Sequence, residues 1–393
     1  GHLAAVGLVF VTLVAVARAL RRRGFFETHR EPDLLSMLHL VALGTVADVV
    51  RLDANNRRLV ALGLKRIRQG RMQPGVAALF AAAGRNTAQA ASFDFGFALG
   101  PRINAAGRLA DMRLGIECLT TDDAARAAQL AGELDAINRE RRSVEAGMRE
   151  QAEALVQAQL DARLDRLADR DGDGSGAAAL PAALTLFDEQ FHEGVVGIVA
   201  GRLKDRLHRP AFVFARGQDG LLKGSGRSIA GFHLRDALDL LAKRAPGVLL
   251  RFGGHAMAAG CTLAEDALPR FDAALRAIAA EWLDAAALQQ RLRTDGTLPA
   301  EYCNAQTVRV LDAQVWGQAF EAPTFCDEVE VMSQRLVGQG HLKLRVALGG
   351  EPRDAIWFGR AEPLPARVRI AYRLALDEYQ GRERVQLLVQ ALG

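Results

Sequence analysis

The chain has 393 residues, a length that predicts two or three domains and excludes a single small module. Half of the residues are hydrophobic and 24% are charged, which is typical of folded domains and excludes a largely disordered or collagen-like chain. The formal net charge is +4, and all but five of the 50 basic residues are Arg. This excess of Arg suits a polyanionic partner, and a codon bias that also enriches Ala explains it as well.

The first 110 residues have apolar spacings of three and four, which predict helices. The segment Leu3 to Leu20 is almost wholly apolar, and we expect a buried core helix. A signal peptide or membrane span fits less well, because no basic region precedes it, Arg18 interrupts it and no small-residue cleavage site follows. A second apolar run from Leu34 to Val50 contains one acid, Asp48, whose burial is costly unless something pairs with it.

From Thr120 to about Ala168 the pattern predicts one long, half-exposed helix that connects two bodies. Residues 169–181 have the composition of a flexible linker. The linker begins like a calcium loop, but Leu180 stands where such a loop needs a bidentate Glu, so calcium binding is not expected.

Strands then alternate with helices over about 105 residues, which predicts an α/β domain. In the last 105 residues several short strands with strict alternation predict a small β-barrel. The four cysteines lie far apart without a C-x-x-C pair, which favours a reducing, cytoplasmic setting.

Three segments combine glycines with phosphate-binding side chains. We expect a Gly-rich turn at Ser225, Gly226, Arg227 and Ser228, where hydroxyls, backbone N–H groups and a guanidinium meet a phosphate. A second segment has Gly253 and Gly254 before His255, which can donate to a phosphate or carry a proton; His192 is a weaker addition. A third has Arg102, Asn104 and Arg108 in a loop of small residues. For the first segment the alternative is an ordinary turn between strands. For the second it is a histidine with a structural role, and for the third it is a solvent-exposed arginine loop.

The barrel region carries two basic strand faces. Lys343 and Arg345 share one face with His341, while Arg367, Arg369 and Arg373 share another. With Trp357, Phe358 and Tyr372 nearby in sequence, these faces suit a groove for single-stranded nucleic acid. The alternative is a solvated sheet surface.

Five motifs occur in order along the chain: V-A-L-G-T-V-A-D-V-V-R-L-D-A-N-N-R-R-L-V, G-P-R-I-N-A-A-G-R, H-E-G-V-V-G-I-V-A-G-R-L, K-G-S-G-R-S and F-G-G-H-A-M-A-A-G. In this order they resemble the RecJ-type single-strand-specific 5′ to 3′ DNA exonucleases of the DHH phosphoesterase superfamily. The resemblance implies an α/β protein with four parts. These are a partial, mostly helical DHH domain (1–110), a long connecting helix and linker (111–170), a DHH-associated domain (180–286) and an OB-type barrel (287–393).

The resemblance also implies roles for particular residues. Asp48 matches the last metal-binding aspartate of a site that holds two Mn²⁺ or Mg²⁺ ions, and these ions activate the attacking water. The loop of Arg102, Asn104 and Arg108 faces substrate phosphates. The segments at 225–228 and 253–255 bind the nucleotide and the 5′ end, with His255 a catalytic candidate.

The chain departs from the family in one respect, because no D-H-H triplet occurs and the one D-x-D run is the linker. The sequence begins Gly-His without Met, and we expect the C-terminal part of such a nuclease, inactive by itself. The alternatives are a non-catalytic single-strand-binding or replication-scaffold relative, and a phosphodiesterase of short oligonucleotides or cyclic dinucleotides.

The expected setting is DNA recombination and repair, with single-stranded DNA carrying a 5′ end as substrate. The resemblance adds a single-strand-binding protein and a RecQ-type helicase as partners. We expect a monomer with no membrane association.

Overall fold

The computed structural model describes residues 2–168, 180–338, 340–379 and 382–393. The chain divides into two compact units, each containing separate stretches of sequence. The first comprises Gly1–Asn104, Met112–Asp135 and Leu292–Gly393, and the second comprises Ala105–Asp111 and Ala136–Arg291. Most of the predicted linker, residues 169–179, lies outside the described residues.

The region before residue 124 is helical, as its apolar spacing predicts. Its helices are α1 (Ala5–Arg22), α2 (Leu38–Ala47), α3 (Ala54–Arg68), α4 (Pro74–Ala82), α5 (Ser92–Asp94), a π-helical turn (Phe95–Leu99), α6 (Gly100–Leu109) and α7 (Arg113–Thr120). Local chemistry fixes several of the starts. Asp53 caps α3 by accepting hydrogen bonds from two backbone N–H groups, and Pro74 occupies the first turn of α4, where no N–H partner is needed.

Helix α1 forms where expected, but the expectation that it is buried is wrong. Leu8 and Val9 are 60% and 57% exposed, and only Gly7, Phe10 and Ala17 of this helix are buried. Apolar residues occupy every side of α1, so packing of Phe10 against α2 covers only one of them. No helix among the described residues is both long and apolar enough to cross a membrane.

The long connecting helix is confirmed as α8 (Ala124–Ala168). Leu130 and Leu134 are fully buried within the first unit, and Met148 and Val156 pack in a core of the second. The apolar stripe of this helix therefore serves packing, as its spacing predicts.

A five-stranded sheet in the order β1-β2-β3-β5-β4 forms the centre of the second unit. Its strands are β1 (Leu184–Phe187), β2 (Ala211–Arg216), β3 (Leu222–Arg227), β4 (Arg251–Gly254) and β5 (Ala258–Leu263). Strands β1 and β2 are parallel, and the other neighbours are antiparallel. Helices α10 (Leu234–Arg244) and α11 (Leu268–Trp282) cover one face, and α9 (Val196–Leu207) packs with α8 over β1 and β2 on the other.

The expected Gly-rich turn at residues 224–228 is wrong, because residues 222–227 form β3 in the middle of the sheet. The glycines have a packing role. A Cβ at Gly224 would lie 2.3 Å from the Phe214 ring, and one at Gly226 would lie 2.4 Å from the Phe212 ring. Both rings are fully buried, so the glycines leave the space that the rings fill.

The C-terminal part of the chain forms a closed barrel in the order β10-β8-β7-β6-β9, as the alternation predicts. Its strands are β6 (Phe325–Val337), β7 (His341–Leu348), β8 (Glu351–Trp357), β9 (Arg367–Tyr379) and β10 (Arg382–Leu392). Helix α12 (Ala305–Asp312) packs on β9 and β10. Along β7 every second residue is buried, which places the apolar side chains in the barrel core.

Candidate phosphate-binding site

A cavity of about 610 Å³ lies within the second unit, between the end of α6, the loop before α9 and strand β3. Its side chains are mainly polar or basic. The lining residues are Gly107, Arg108, Leu109, Ala110, His192, Glu193, Gly194, Val196, Lys223, Gly224 and Ser225.

Strand β3 supplies a polar face to this region. Lys223, Ser225 and Arg227 alternate with the two glycines, so the three polar side chains share the face opposite the Phe rings. Arg227 donates from Nη1 to Ser225 Oγ at 3.1 Å and to the Gly226 carbonyl at 2.8 Å. Lys223 Nζ bonds Asp219 at 2.6 Å.

Two glycines of the H-E-G-V-V-G segment make room for this face. A Cβ at Gly197 would lie 2.8 Å from Ser225 Oγ and 2.9 Å from Arg227 Nη2. A Cβ at Gly194 would lie 2.6 Å from the Arg108 carbonyl oxygen. Larger residues at either position would displace the polar groups that surround the cavity.

The backbone of Gly194 links Arg108 to His192. Arg108 donates from Nη1 to the Gly194 carbonyl at 3.1 Å, and the Gly194 N–H donates to His192 Nδ1 at 3.1 Å. Because Nδ1 accepts this hydrogen bond, the neutral imidazole carries its proton on Nε2 and can donate from there.

Charged groups of both signs lie at the cavity, since Arg108, Lys223 and Glu193 all line it, and Arg227 lies on the same face of β3 as Ser225. Desolvation lowers the pKa of Arg227, and the charge of Arg108 lowers it further. Desolvation also lowers the pKa of Arg108, and the charge of Arg141 adds to this effect. The charge of Glu145 acts on the pKa of Arg108 in the opposite direction, and both guanidiniums stay charged near neutral pH.

Ser228 does not join this face. It is 1% exposed, and its hydroxyl donates to the Phe232 carbonyl at 2.6 Å, so the group is satisfied inside the fold. Of the four candidates at 225–228, Ser225 and Arg227 lie on the polar face, whereas Gly226 and Ser228 serve packing and hydrogen bonding.

An open strip of glycines runs beside Ser225 across the sheet. In the sheet ladders, Gly260 of β5 stands opposite Ser225 of β3, and Gly253 of β4 stands opposite Gly260. Gly253 and Gly260 are both exposed. A Cβ at Gly253 would meet nothing within 4 Å, whereas Gly254 adopts φ 143° and a Cβ there would lie 2.5 Å from the Ala258 carbonyl. His255 follows and is exposed. It is not among the residues that line the cavity.

The expected loop around residues 100–108 is wrong, because these residues form α6. Pro101 lies in the first turn, where it is compatible with a helix, and the alanines favour helix. Arg102 is 8% exposed and donates to Asp135 Oδ1 at 2.9 Å and to the Ala98 carbonyl at 2.7 Å. The guanidinium therefore has partners inside the first unit, whereas Asn104 is exposed and Arg108 lines the cavity.

Asp48 is the C-cap residue of α2 and is exposed. The expectation of a costly buried charge is wrong, since solvent reaches the carboxylate. Val49 follows with φ 55°, a left-handed conformation that is strained for a β-branched residue. No group of three or more His, Cys, Asp or Glu side chains that could hold a metal ion occurs among the described residues. One carboxylate does not complete a metal site.

The barrel cations have polar or acidic neighbours. Arg345 Nη1 lies 2.8 Å from Asp354 Oδ1, and Arg373 Nε donates to Thr324 Oγ1 at 3.2 Å. Arg367 and Arg369 stand opposite Glu330 and Glu328 in the β6–β9 ladder.

Lys343 is half-buried on β7, in the outward-facing set of that strand. Strands β7 and β9 are both neighbours of β6, so the two basic faces flank one strand.

Of the three aromatic residues expected at the groove, Tyr372 is fully buried and bonds Asp327, whereas Phe358 is 58% exposed.

Sequence reasoning missed Lys223 as a residue that lines the cavity and Gly197 as the residue that leaves room for Ser225 and Arg227. The available signals were the two-residue period of K-G-S-G-R and the glycine spacing of H-E-G-V-V-G at a helix start. Neither reveals by itself that α9 packs over β3.

Two family models match the chain. The DHHA1 domain matches residues 180–281, and the RecJ OB domain matches residues 294–391. The chain is 47% identical over 400 residues to the single-stranded-DNA-specific exonuclease RecJ of Dickeya dadantii and 44% identical over 397 residues to that of Escherichia coli. These alignments cover 99% and 98% of this chain but 67% and 66% of those proteins.

Among solved structures, the chain is similar to RecJ from Thermus thermophilus in complex with Mn²⁺. The TM-score is 0.74 at 30% identity, and the match covers 94% of this chain and 51% of that chain. The Mg²⁺ complex of the same protein gives a TM-score of 0.73. The chain thus spans about two thirds of the curated relatives and about half of the solved chain.

Proposed function

This chain belongs to the RecJ family, and on that premise we propose that it binds the 5′ end of single-stranded DNA for 5′ to 3′ exonucleolytic hydrolysis. The cavity of the second unit receives the terminal phosphate. The observation that carries this proposal is geometric: Arg108, His192, Lys223 and Ser225 line one cavity, and Arg227 donates to Ser225 from the same face of β3.

The residues around the cavity supply charged and neutral hydrogen-bond donors to a phosphate. The guanidiniums of Arg108 and Arg227 donate charge-assisted hydrogen bonds to phosphate oxygens. Ser225 Oγ and the Nε2–H of His192 add neutral donors. A 5′ phosphate carries more negative charge than an internal phosphodiester, so this donor set favours the phosphorylated end over a 5′ hydroxyl.

The glycine strip at Gly253 and Gly260 extends the site across the sheet. Without side chains there, a sugar-phosphate backbone can approach the strand surface closely. His255 stands at the end of the strip as a further proposed donor, with Gly254 holding the tight connection before it.

Hydrolysis requires the divalent ions that the related structures contain, and those ions stabilise the attacking and leaving oxygens. Asp48 is the one residue of this chain proposed as a ligand, and the described residues do not fit a complete metal site. We therefore propose that these 393 residues bind DNA without cleaving it.

The remaining expectations are also proposals. The barrel binds single-stranded DNA through Lys343, Arg345, Arg367, Arg369 and Arg373. A single-strand-binding protein, a helicase and a cytoplasmic location follow from the proposed role in recombination and repair.

The central test compares binding of 5′-phosphorylated and 5′-hydroxyl oligonucleotides. We expect Arg227→Ala to lose the preference for the phosphorylated end, by about 10- to 100-fold, since a hydrogen bond to a charged group contributes about 1.5–3 kcal/mol. Arg216→Ala is the matched control, because Arg216 lies on β2 of the same sheet and pairs with Glu265. Equal affinity for both ends in the unsubstituted protein would contradict the proposal.

A second test addresses hydrolysis. The purified 393-residue chain, incubated with single-stranded DNA and Mn²⁺, should leave the strand intact. Degradation that Asp48→Ala abolishes would show that the chain is catalytic by itself and would overturn the binding-only assignment.

A further inference from the structure

Two phenylalanines of the first unit stack on each other at its surface. Phe93 lies in α5 and Phe97 in the π-helical turn that follows, and their ring centroids are 4.5 Å apart at an interplanar angle of 20°. Their side chains remain 57% and 66% exposed. A π-helical turn inside a helix often marks a functional site, and here it aligns two rings four residues apart.

The segment that carries these rings is firmly held. Ser92 Oγ donates to the Trp316 carbonyl at 2.8 Å, and the buried Asp94 accepts from the Ala91 N–H at 2.8 Å. Between the two exposed rings, Phe95 is fully buried against Phe80. The exposure of Phe93 and Phe97 is thus a feature of the folded structure, and little entropy is lost when a ligand stacks on rings that are already fixed.

The same segment packs against the end of α2 that carries Asp48. A Cβ at Gly100 would lie 3.2 Å from Ala47 Cβ, and one at Gly96 would lie 3.6 Å from Val46 Cγ1. Gly96 directly precedes Phe97, and Ala47 directly precedes Asp48. The backbone that carries Phe97 therefore packs against the last turn of α2, the helix that Asp48 caps.

A cation accompanies the rings. The Arg85 guanidinium lies 5.8 Å from the centroid of the Phe93 ring, within the range of a cation–π contact. Its Nε bonds Asp94 at 2.6 Å, which fixes the side chain while 45% of it stays exposed. Flat rings next to a fixed cation present the two features that nucleobases and their phosphates recognise.

We propose that Phe93 and Phe97 form a stacking site for an unpaired nucleobase, with Arg85 facing the adjoining phosphate. This inference rests on the proposed function, since it assigns part of the same strand to a second place on the chain. A nucleic acid fits better than an apolar protein segment, because the guanidinium of Arg85, which is 45% exposed, adjoins the Phe93 ring.

The test uses oligonucleotides with and without bases. The 393-residue chain should bind a short oligothymidylate more tightly than a strand of equal length built from abasic residues. In Phe93→Ala/Phe97→Ala that ratio should fall by about 5- to 150-fold, the range expected for loss of one stacked base. The slope of log affinity against log salt concentration should not change, because no phosphate contact is removed.

Three further variants sharpen this result. Phe97→Trp should keep the preference for bases, and Phe97→Leu should weaken it although it keeps an apolar side chain. Phe25→Ala is the control, since Phe25 is also exposed, at 41%, and stacks on His29 elsewhere. The fluorescence of 2-aminopurine in the strand should be quenched by the unsubstituted protein and not by the double variant.

Different results would contradict the stacking site and the proposed 5′-phosphate site. A double variant that retains the ratio of base-containing to abasic affinity would overturn the stacking site and favour a protein segment as its occupant. That outcome leaves the preference for a 5′ phosphate, which Arg227 tests, unaffected. Loss of the 5′-phosphate preference alone would contradict the cavity assignment instead.

Discussion

The arginines at and beside the cavity, Arg108 and Arg227, differ from those on the barrel in the groups that face them. Arg227 faces Ser225 and the charge of Arg108. On the barrel, Arg345 pairs with Asp354, and Arg369 stands opposite Glu328. The amino-acid composition counts these arginines together and does not distinguish them. The partners of each arginine, and not the number of arginines, therefore distinguish the two regions, since Arg227 donates to neutral oxygens and Arg345 to a carboxylate.

The largest effect should come from the arginine with the most complete set of partners. Arg102→Ala should lower the free energy of unfolding by about 3–5 kcal/mol, because it removes the nearly buried bonds to Asp135 and to the Ala98 carbonyl, and a hydrogen bond of a charged group contributes about 1.5–3 kcal/mol. Chemical denaturation measures this value. Arg108→Ala, on the same helix, is the control and should change stability by less than about 0.5 kcal/mol. Similar losses in both variants would break the distinction between the two arginines.

The next largest effect is on stability and concerns β3, the strand that orients the cavity side chains. Gly224→Ala should cost about 1–3 kcal/mol of stability, since the new methyl group would overlap the buried Phe214 ring. Gly253→Ala has open space and should be nearly neutral. The comparison of their melting temperatures checks the packing role. A neutral Gly224→Ala would contradict it.

A binding measurement compares the two regions directly. Arg108→Ala should weaken binding of 5′-phosphorylated single strands by about 10-fold and reduce the salt slope by about 0.9. Arg345→Ala should reduce the slope by less, because Asp354 already neutralises this side chain. Titrations at several salt concentrations give both slopes, and a steeper loss for Arg345→Ala would reverse the comparison.

The smallest expected effect is a change in DNA affinity when a barrel arginine loses its acidic partner. Asp354→Asn should raise the affinity for long single strands by a few-fold, since Arg345 becomes free to contact a phosphate while an exposed ion pair contributes only about 0–1 kcal/mol. Affinity for a short 5′-phosphorylated strand should stay unchanged. A decrease for long strands would mean that the pair itself positions the barrel surface.

Much of the fold follows from local patterns in the sequence. The long helix α8, the helices of the second unit and the alternating strands of the barrel all have the period that their environment requires. The errors in secondary structure arose where glycine or proline signalled a turn, and the errors in burial arose at α1 and Asp48, where an apolar run was read as core. At β3 the space left by Gly224 and Gly226 is filled by rings of β2, and only the sheet pairing reveals this.

The candidate site was harder to predict because its partners are distant in sequence. Arg102 bonds Asp135, 33 residues later, and Arg108 bonds Gly194, 86 residues later. The G-P-R-I-N-A-A-G-R motif contains both arginines without distinguishing them. The Phe93–Phe97 pair was not singled out, since exposed aromatic residues have no sequence signature.

The fit of Phe212 to Gly226 also bears on how these positions can vary. A small residue at 212 would leave a void, and a larger residue at 226 would clash, so each substitution alone is unfavourable. Combined, the two changes would compensate in volume, and their effects on stability would not add. The side-chain volumes at positions 212 and 226 should therefore covary inversely among related sequences, as should those at positions 214 and 224.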